Sequence, residues 1–336
     1  MSRDDRDTCD ERDGRWSRRH FVGVGVGAFV VAALPLAIHR RAVVARRTVP
    51  LMGTIAELTV VHRDEQVAQS AIDAAIGALR RTEWMMTRFQ ATSDVGRANA
   101  GAMRDGVRVS GETATVLGHA LDWAAASEGR FDPAIGKVVE LWDVANRHEP
   151  PPSGAVRPLA ARGFWRAVDL SSRGDAHAVR FGDRDIRLDL GGIAKGYGVD
   201  QAARVLRERG IAHAIVNVGG DLYALGDAPD GEGWHVGIRS PHDARVVAAT
   251  LRVSDQAVAT SGDYAQFFSW RGRRYHHLMD PVTAVPRVSP VKSLTVQADD
   301  CMDADAAATA AFGLEEHSAR RVVRQIARSA VVIPMA

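Results

Sequence analysis

The stretch "LDLGGIAKGYGVDQAARVLRERG", from Leu188 to Gly210, opens on an apolar run carrying Asp189. It then crosses a turn with four glycines and one lysine, Lys195, and continues with helical spacing. Backbone N–H groups at a glycine turn feeding a helix can collect an anion. A second segment, "DADAAATAAF" from Asp303 to Phe312, sets Asp305 and Thr309 four residues apart, on one face of a helix. A carboxylate and a hydroxyl so placed offer the oxygen ligands that Mg²⁺ and Ca²⁺ prefer. The same residues also suit an alanine-rich core helix whose aspartates cap its start. In "YHHLMDP", His276 and His277 are adjacent at a strand end, so they point to opposite faces and at most one addresses a site. Such a histidine can take the proton of a hydroxyl nucleophile, or can be hydrogen-bonded within a loop. "ATSGDY", with Thr260, could hold phosphate oxygens or form a turn, and "GRFDPAIG" joins Phe131 and Asp132 to a proline after a helix.

The elements that must position these groups alternate between strand and helix patterns. "GTIAELTVVH" has the period of a half-buried strand, and "AQSAIDAAIGALRRTEWMM" that of an amphipathic helix. "TATVLGHALDWAAASEG" is a second helix, closed by Gly129. A proline-rich loop, "RHEPPPSGAVRP", follows, then strand-like pieces "AVDLS", "AVRFG" and "IRLDL". "HAIVNVGGDLYALG" predicts two strands about a Gly-Gly turn; further strands lie between Trp234 and Asp299, and the end returns to helices. The pattern implies one α+β catalytic domain from about Thr48.

The chain has 336 residues with a formal net charge of +2. Residues 1–47 contain 10 Lys/Arg and 6 Asp/Glu, a balance of +4, which leaves −2 for residues 48–336. A mildly acidic body gives no sign of a nucleic-acid groove, and two cysteines, Cys9 and Cys301, imply neither a disulfide framework nor a zinc site. In the leader, Ser17-Arg18-Arg19-His20-Phe21 precedes an apolar run ending at Ile38 and resembles a twin-arginine export signal, with Ala45 a candidate cleavage point. The alternative is an uncleaved membrane anchor. The division expected is therefore 1–47, signal or anchor, and 48–336, catalytic domain, on the far side of the cytoplasmic membrane.

Taken in order, "LMGT", "MTRFQATSDVGRAN", "GRFDPAIGKVVELW", "LDLGGIAKGYGVD", "IVNVGGDLYALG", "AVATSGDY", "RYHHLMDPVTAVP" and "CMDADAAATAAF" resemble the ApbE family of FAD:protein FMN transferases, over about Leu51 to Leu314. The resemblance implies a single T-fold-like domain that binds FAD with Mg²⁺, splits the pyrophosphate, attaches FMN to a threonine or serine of an exported protein and releases AMP. It implies Asp305, Thr309 and a backbone carbonyl near Gly192 as metal ligands. Met52, Phe131, Asp132, Asp189, Lys195 and Thr260 become FAD contacts, and His277 the base. The acceptor would carry the motif Asp-Gly-x-[Ser/Thr]-Gly-Ala-[Ser/Thr]. Rival readings are an FAD-binding protein or FAD pyrophosphatase, and a non-catalytic assembly factor for an exported redox complex. Two departures stand out: Val282 and Ala284 replace the family's usual arginine and glycine after Asp-Pro, and Asp143 replaces the glycine usual after Trp142.

Overall fold

Val43–Leu51 (β1) alternates in burial as an edge strand does, and Thr54–His62 (β2), rich in β-branched residues, is buried along most of its length. They are joined through Met52 and Gly53, both at positive φ (54° and 69°), the two-residue turn whose twist matches antiparallel strands. In the computed structural model, which describes residues 29–31, 42–229, 231–243 and 245–336, these are the first of seven strands in one sheet. The others are His213–Val218 (β3), Asp221–Leu225 (β4), Gln256–Gly262 (β5), Ser293–Ala298 (β6) and Val331–Met335 (β7). Spatial order follows sequence order, β7-β6-β5-β4-β3-β2-β1, and every neighbouring pair is antiparallel. The turn between β3 and β4 is Gly219-Gly220, with φ of 63° and 103°, a geometry that glycine adopts without a steric cost.

The sheet is buried on both faces, and the strand period sorts its residues between two cores. Ala56, Leu58, Val60, Val216, Ala257 and Ala259 join the main core with the helices, whereas Val61, Ile215, Leu222, Ala224 and Val258 face the opposite way. There they pack on Trp234, Val236 and Ile238 of a strand, Trp234–Arg239, that pairs with Val247–Val253 and with residues 29–31. The helical layer contains Glu65–Met86 (α1), Gly111–Ala126 (α2), Ala194–Glu208 (α3) and Cys301–Ala311 (α4). In α1 the side chain of Asp64 accepts the amides of Gln66 and Val67, and Ala68, Ala71, Ile72, Ala75, Ile76 and Leu79 form its buried stripe. Helices α3 and α4 approach so closely that a Cβ on Gly196 would lie 2.1 Å from the carbonyl oxygen of Cys301. Among the described residues no helix is long and apolar enough to cross a membrane.

The structure corrects three expectations. The boundary drawn after Arg47 falls inside β1, whose Ala45 is buried, so a cut after Ala45 would remove part of the sheet edge. The leader motif at Ser17–Phe21 lies outside the described residues. "IRLDL" is no strand but an extended segment held by loop partners: the amides of Arg187 and Asp189 bond to the carbonyls of Ala134 and Pro133, and Leu188 is gripped at both backbone groups by the Asn99 side chain. The chain also ends on a strand, β7, rather than a helix.

Replacing Gly196 by alanine forces backbone against backbone and is expected to cost about 3 kcal/mol. The control is Gly77→Ala, at an exposed mid-helix position with nothing within 4 Å of a new Cβ; it should gain roughly 0.5–1 kcal/mol. Urea unfolding of both variants distinguishes a packing constraint at Gly196 from a general intolerance of change.

Candidate active site

The helix-facing side of the sheet, where β4 and β5 meet α3 and α4, buries two carboxylates around one ammonium. Lys195, in the first turn of α3, places its Nζ 2.9 Å from Asp221 Oδ2 and 3.1 Å from Asp305 Oδ2, and donates to the Gly191 carbonyl at 3.0 Å. Asp305 also accepts the Gly196 amide at 3.2 Å. Burial works against the charge on Lys195, but the two carboxylates outweigh it and hold the ammonium firmly protonated. For Asp221 the balance runs the other way. Burial and the neighbouring Asp305 push it above the usual carboxylate range, against the pull of Lys195. One cation cannot satisfy two buried anions. Asp221 Oδ2 has no aligned hydrogen-bond donor despite its ion pair.

Asp305 is free for this role because other residues cap its helix. Asp300 accepts the Asp303 amide, and the half-buried Asp200 accepts those of Cys301 and Met302, each at 2.8 Å. Burial raises Asp200 to about 7. Asp303 takes the indole N–H of Trp123 at 2.9 Å. The capping and ligand readings of this helix are thus divided among different aspartates. One turn beyond Asp305, Thr309 Oγ1 lies 3.4 Å from Ser261 Oγ and packs against Gly192. A Cβ at Gly192 would come within 3.1 Å of both Thr309 Oγ1 and Phe131 Cε2, so only glycine keeps that space open. The donor set is oxygen alone, with one buried carboxylate oxygen lacking a donor and an excess negative charge; these residues fit a hard divalent cation. Among the described residues no group of three or more His, Cys, Asp or Glu is placed to hold a metal, so a cation here would rest on Asp305, Thr309 and backbone oxygen.

The two histidines part as the strand period requires. His276 is buried with both nitrogens engaged, Nε2 donating to the Arg287 carbonyl at 2.8 Å and Nδ1 accepting the Leu278 amide at 3.2 Å. His277 is half-buried, its amide donates to the Gln266 carbonyl at 3.1 Å, and its Nδ1 lies 3.4 Å from the same oxygen. A carbonyl only accepts, so this contact assigns the ring proton to Nδ1 and leaves Nε2 as the acceptor. Close packing pushes His277 down to about 4, and the nearby charge of Lys195 adds to the effect.

The remaining candidates are placed unevenly. Gly192, Lys195, Phe131, Asp305 and Thr309 converge. Met52 sits at its hairpin turn, its amide bonded to Glu83 at 2.8 Å and its sulfur 3.3 Å from the Cβ position of Gly198 on α3. Asp189 faces Arg88 at 3.0 Å and accepts the Gly191 amide at 2.9 Å. Asp132 is buried and bridges two segments, accepting the amides of Ala134 in its own loop and of Trp165, and burial raises it to about 6. The Thr260 side chain is not brought to the cluster: it bonds to Thr295 at 2.7 Å, on the sheet face opposite Ser261. Ser261 therefore takes the position expected for Thr260, because neighbouring strand residues alternate. Sequence reasoning also missed Asp221, whose signal was a lone aspartate opening the apolar strand after Gly-Gly, and Arg287. The buried guanidinium of Arg287 donates to the carbonyls of Met279, Thr309, Phe312 and Arg130 and so ties three site segments together.

The two glycine replacements keep the glycine geometry. Asp143 and Ala284 have φ of 33° and 55°, and the Trp142 indole donates to the Ala284 carbonyl at 2.8 Å.

This mixed antiparallel fold and its acidic, oxygen-lined site belong to a described class: the model of the ApbE family matches residues 52–333, and the chain belongs to that family. Similar relatives include the FAD:protein FMN transferase of Treponema pallidum, 33% identical over 289 residues (82% of this chain, 80% of the relative). That of Vibrio cholerae is 32% identical over 266 residues (77% and 78%). Among solved structures, the ApbE protein of Thermotoga maritima aligns with a TM-score of 0.77 at 26% identity, covering 87% of this chain and 94% of that one. The flavin transferase ApbE of Vibrio cholerae aligns at 0.74 and 28% identity, covering 87% and 93%.

Two stability measurements follow. Ala284→Gly relieves a left-handed alanine and should add about 1 kcal/mol. For Asp132, a folded pKa of about 6 against an ordinary 3.8 means that the native state binds the extra proton, so its contribution to stability falls as pH rises through that window. Asp132→Asn removes this dependence and should gain about 2–3 kcal/mol on the wild type between pH 4 and pH 7.5. Parallel denaturation curves at the two pH values for wild type and variant would refute the assignment.

Proposed function

We propose that this protein is an FAD:protein FMN transferase, which moves FMN from FAD to a threonine or serine hydroxyl of an acceptor protein and releases AMP. The observation that carries the proposal is the Asp221–Lys195–Asp305 cluster opening onto Thr309 and Gly192, in a chain of the ApbE family. Charge grows on the oxygens around phosphorus in the transition state, and a fixed ammonium stabilises it most where it grows. Lys195 supplies that ammonium, oriented by two carboxylates. His277, neutral and with Nε2 free, takes the acceptor's hydroxyl proton as its oxygen bonds to the FMN phosphorus. The pyrophosphate P–O bond breaks on the opposite side, and AMP leaves. Asp305, Thr309 and the Gly192 carbonyl would hold Mg²⁺, whose contribution is to neutralise phosphate charge. Phe131 borders the same region at Gly192 and offers apolar surface to the flavin half, and Met52, at its hairpin turn beside Gly198, is the second apolar FAD contact in this reading. Export before action is part of this reading, supported by the Ser-Arg-Arg-x-Phe pattern at Ser17 to Phe21.

Incubation with FAD, Mg²⁺ and a protein bearing the acceptor motif should yield a fluorescent acceptor band on a denaturing gel, with AMP released in equal amount. His277→Ala should lower turnover by about 10²–10⁴-fold, and Asp305→Ala or chelation by EDTA should abolish it. Because His277 stays neutral down to about pH 4, the acid limb of turnover should fall near 4 rather than near 6.5. AMP release without a labelled acceptor would identify an FAD pyrophosphatase instead.

A further inference from the structure

The strand that delivers His277 is one arm of a small, separate hairpin. Phe267–Trp270 pairs with Arg273–His276, and the Gln266–His277 contact closes its base. Its tip is Arg271-Gly272, both at positive φ (49° and 77°), and a Cβ on Gly272 would meet nothing within 4 Å. The tip therefore projects away from the protein. Residues 267–276 contain three arginines and no acidic residue, within a body of net charge −2. The three are not equivalent. Arg274 is committed to Asp263 at 3.1 Å and lies over Phe267 at 4.3 Å. Arg271 and Arg273 are exposed, lean over Trp270 and Tyr275 at 5.4 and 5.0 Å, and have no acidic partner among the described residues. The position of Arg271 also favours glycine, asparagine or aspartate on backbone grounds, so an arginine there is held against its conformational preference. The inner side of the hairpin is held against the body by stacking of Tyr275 on Phe268 and Trp142.

We propose that the 267–276 hairpin, through Arg271 and Arg273, is the docking surface for an acidic segment of the acceptor protein and guides its hydroxyl to His277. The proposal rests on the transferase reading. His277 follows the second strand directly, and at about 3.3 Å per strand residue the four residues from Arg273 to His277 span roughly 13 Å, so an extended acceptor segment held at the tip runs back along the hairpin to reach that histidine. Two paired-off carboxylate positions on an acceptor strand or loop would complement the two free guanidinium groups, which favour planar, two-pronged carboxylate contacts. Charge at the rim of an interface mainly speeds encounter and sets partner choice.

The test uses the full chain and two fluorescent peptides, one with a threonine flanked by glutamates and one with the same threonine flanked by lysines. Anisotropy should show the acidic peptide binding at least tenfold tighter. Arg271→Glu/Arg273→Glu should abolish that preference, Arg271→Lys/Arg273→Lys should largely retain it, and FAD affinity should be unchanged in both. Transfer by the glutamate variant should show a raised acceptor KM at constant kcat. Equal binding of the two peptides, or undiminished preference in the glutamate variant, overturns the proposal. So does arginine-dependent sedimentation with phosphatidylglycerol vesicles in the absence of peptide preference, which would make the surface lipid-directed. If the acidic peptide binds through the arginines but no FMN is transferred to any acceptor, the docking surface stands and the transferase reading fails.

Discussion

One ammonium shared by two buried carboxylates is the constraint from which the site follows. Lys195 cannot leave without stranding Asp221 and Asp305 in a low-dielectric interior, where an uncompensated charge costs several kcal/mol. It cannot neutralise both. The cluster is therefore anchored and electrically incomplete at once, a state that a second cation relieves. Each of the three residues comes from a different element, α3, β4 and α4, so their meeting also fixes how the helices seat on the sheet.

The packing around the cluster serves this geometry. Gly196 lets α4 press against α3 at backbone distance, which brings Asp305 to Lys195 one residue away. Gly192 keeps open the space between Thr309 and Phe131. Arg287 binds the carbonyls at the end of α4 together with those of Met279 and Arg130, so the helix carrying Thr309, the segment after His277 and the loop before Phe131 form one unit. A buried guanidinium with only carbonyl partners is costly, and burial lowers its pKa to about 10.

Much of the site was legible because its chemistry is local. Asp305 and Thr309 share a helical face and Lys195 stands alone in a glycine turn, so period and composition single these residues out, while the family resemblance supplies their roles. Strand alternation separates His276 from His277 without saying which faces the site; the choice of His277 comes from the family resemblance. The same rule would have chosen Ser261 over Thr260, had the sheet face toward α4 been known, but which face is inward depends on packing. Asp221 was hidden for a similar reason, since an aspartate after Gly-Gly reads equally as a turn residue. The sheet's centre was legible and its edges were not. β1 carries Arg46 and Arg47, which look like leader residues, and Pro50, yet charge and proline are what an edge strand tolerates. β7 lies where a short apolar tail gives no period to read.

Sheet order that follows sequence order has a consequence for the sequence of assembly. Each strand from β2 onward finds its partner in the strand before it, so the sheet can grow as the chain is made. The site cannot. Lys195 and Asp221 meet early, as a balanced pair of opposite charges across adjoining elements. Asp305 is 110 residues beyond Lys195 and arrives only with α4. A partly synthesised chain thus holds a neutral ion pair with no surplus charge to attract a cation, and the electrostatic demand appears only when α4 docks. The surplus charge of the cluster is in this way a late feature of assembly, absent until α4 has joined the sheet.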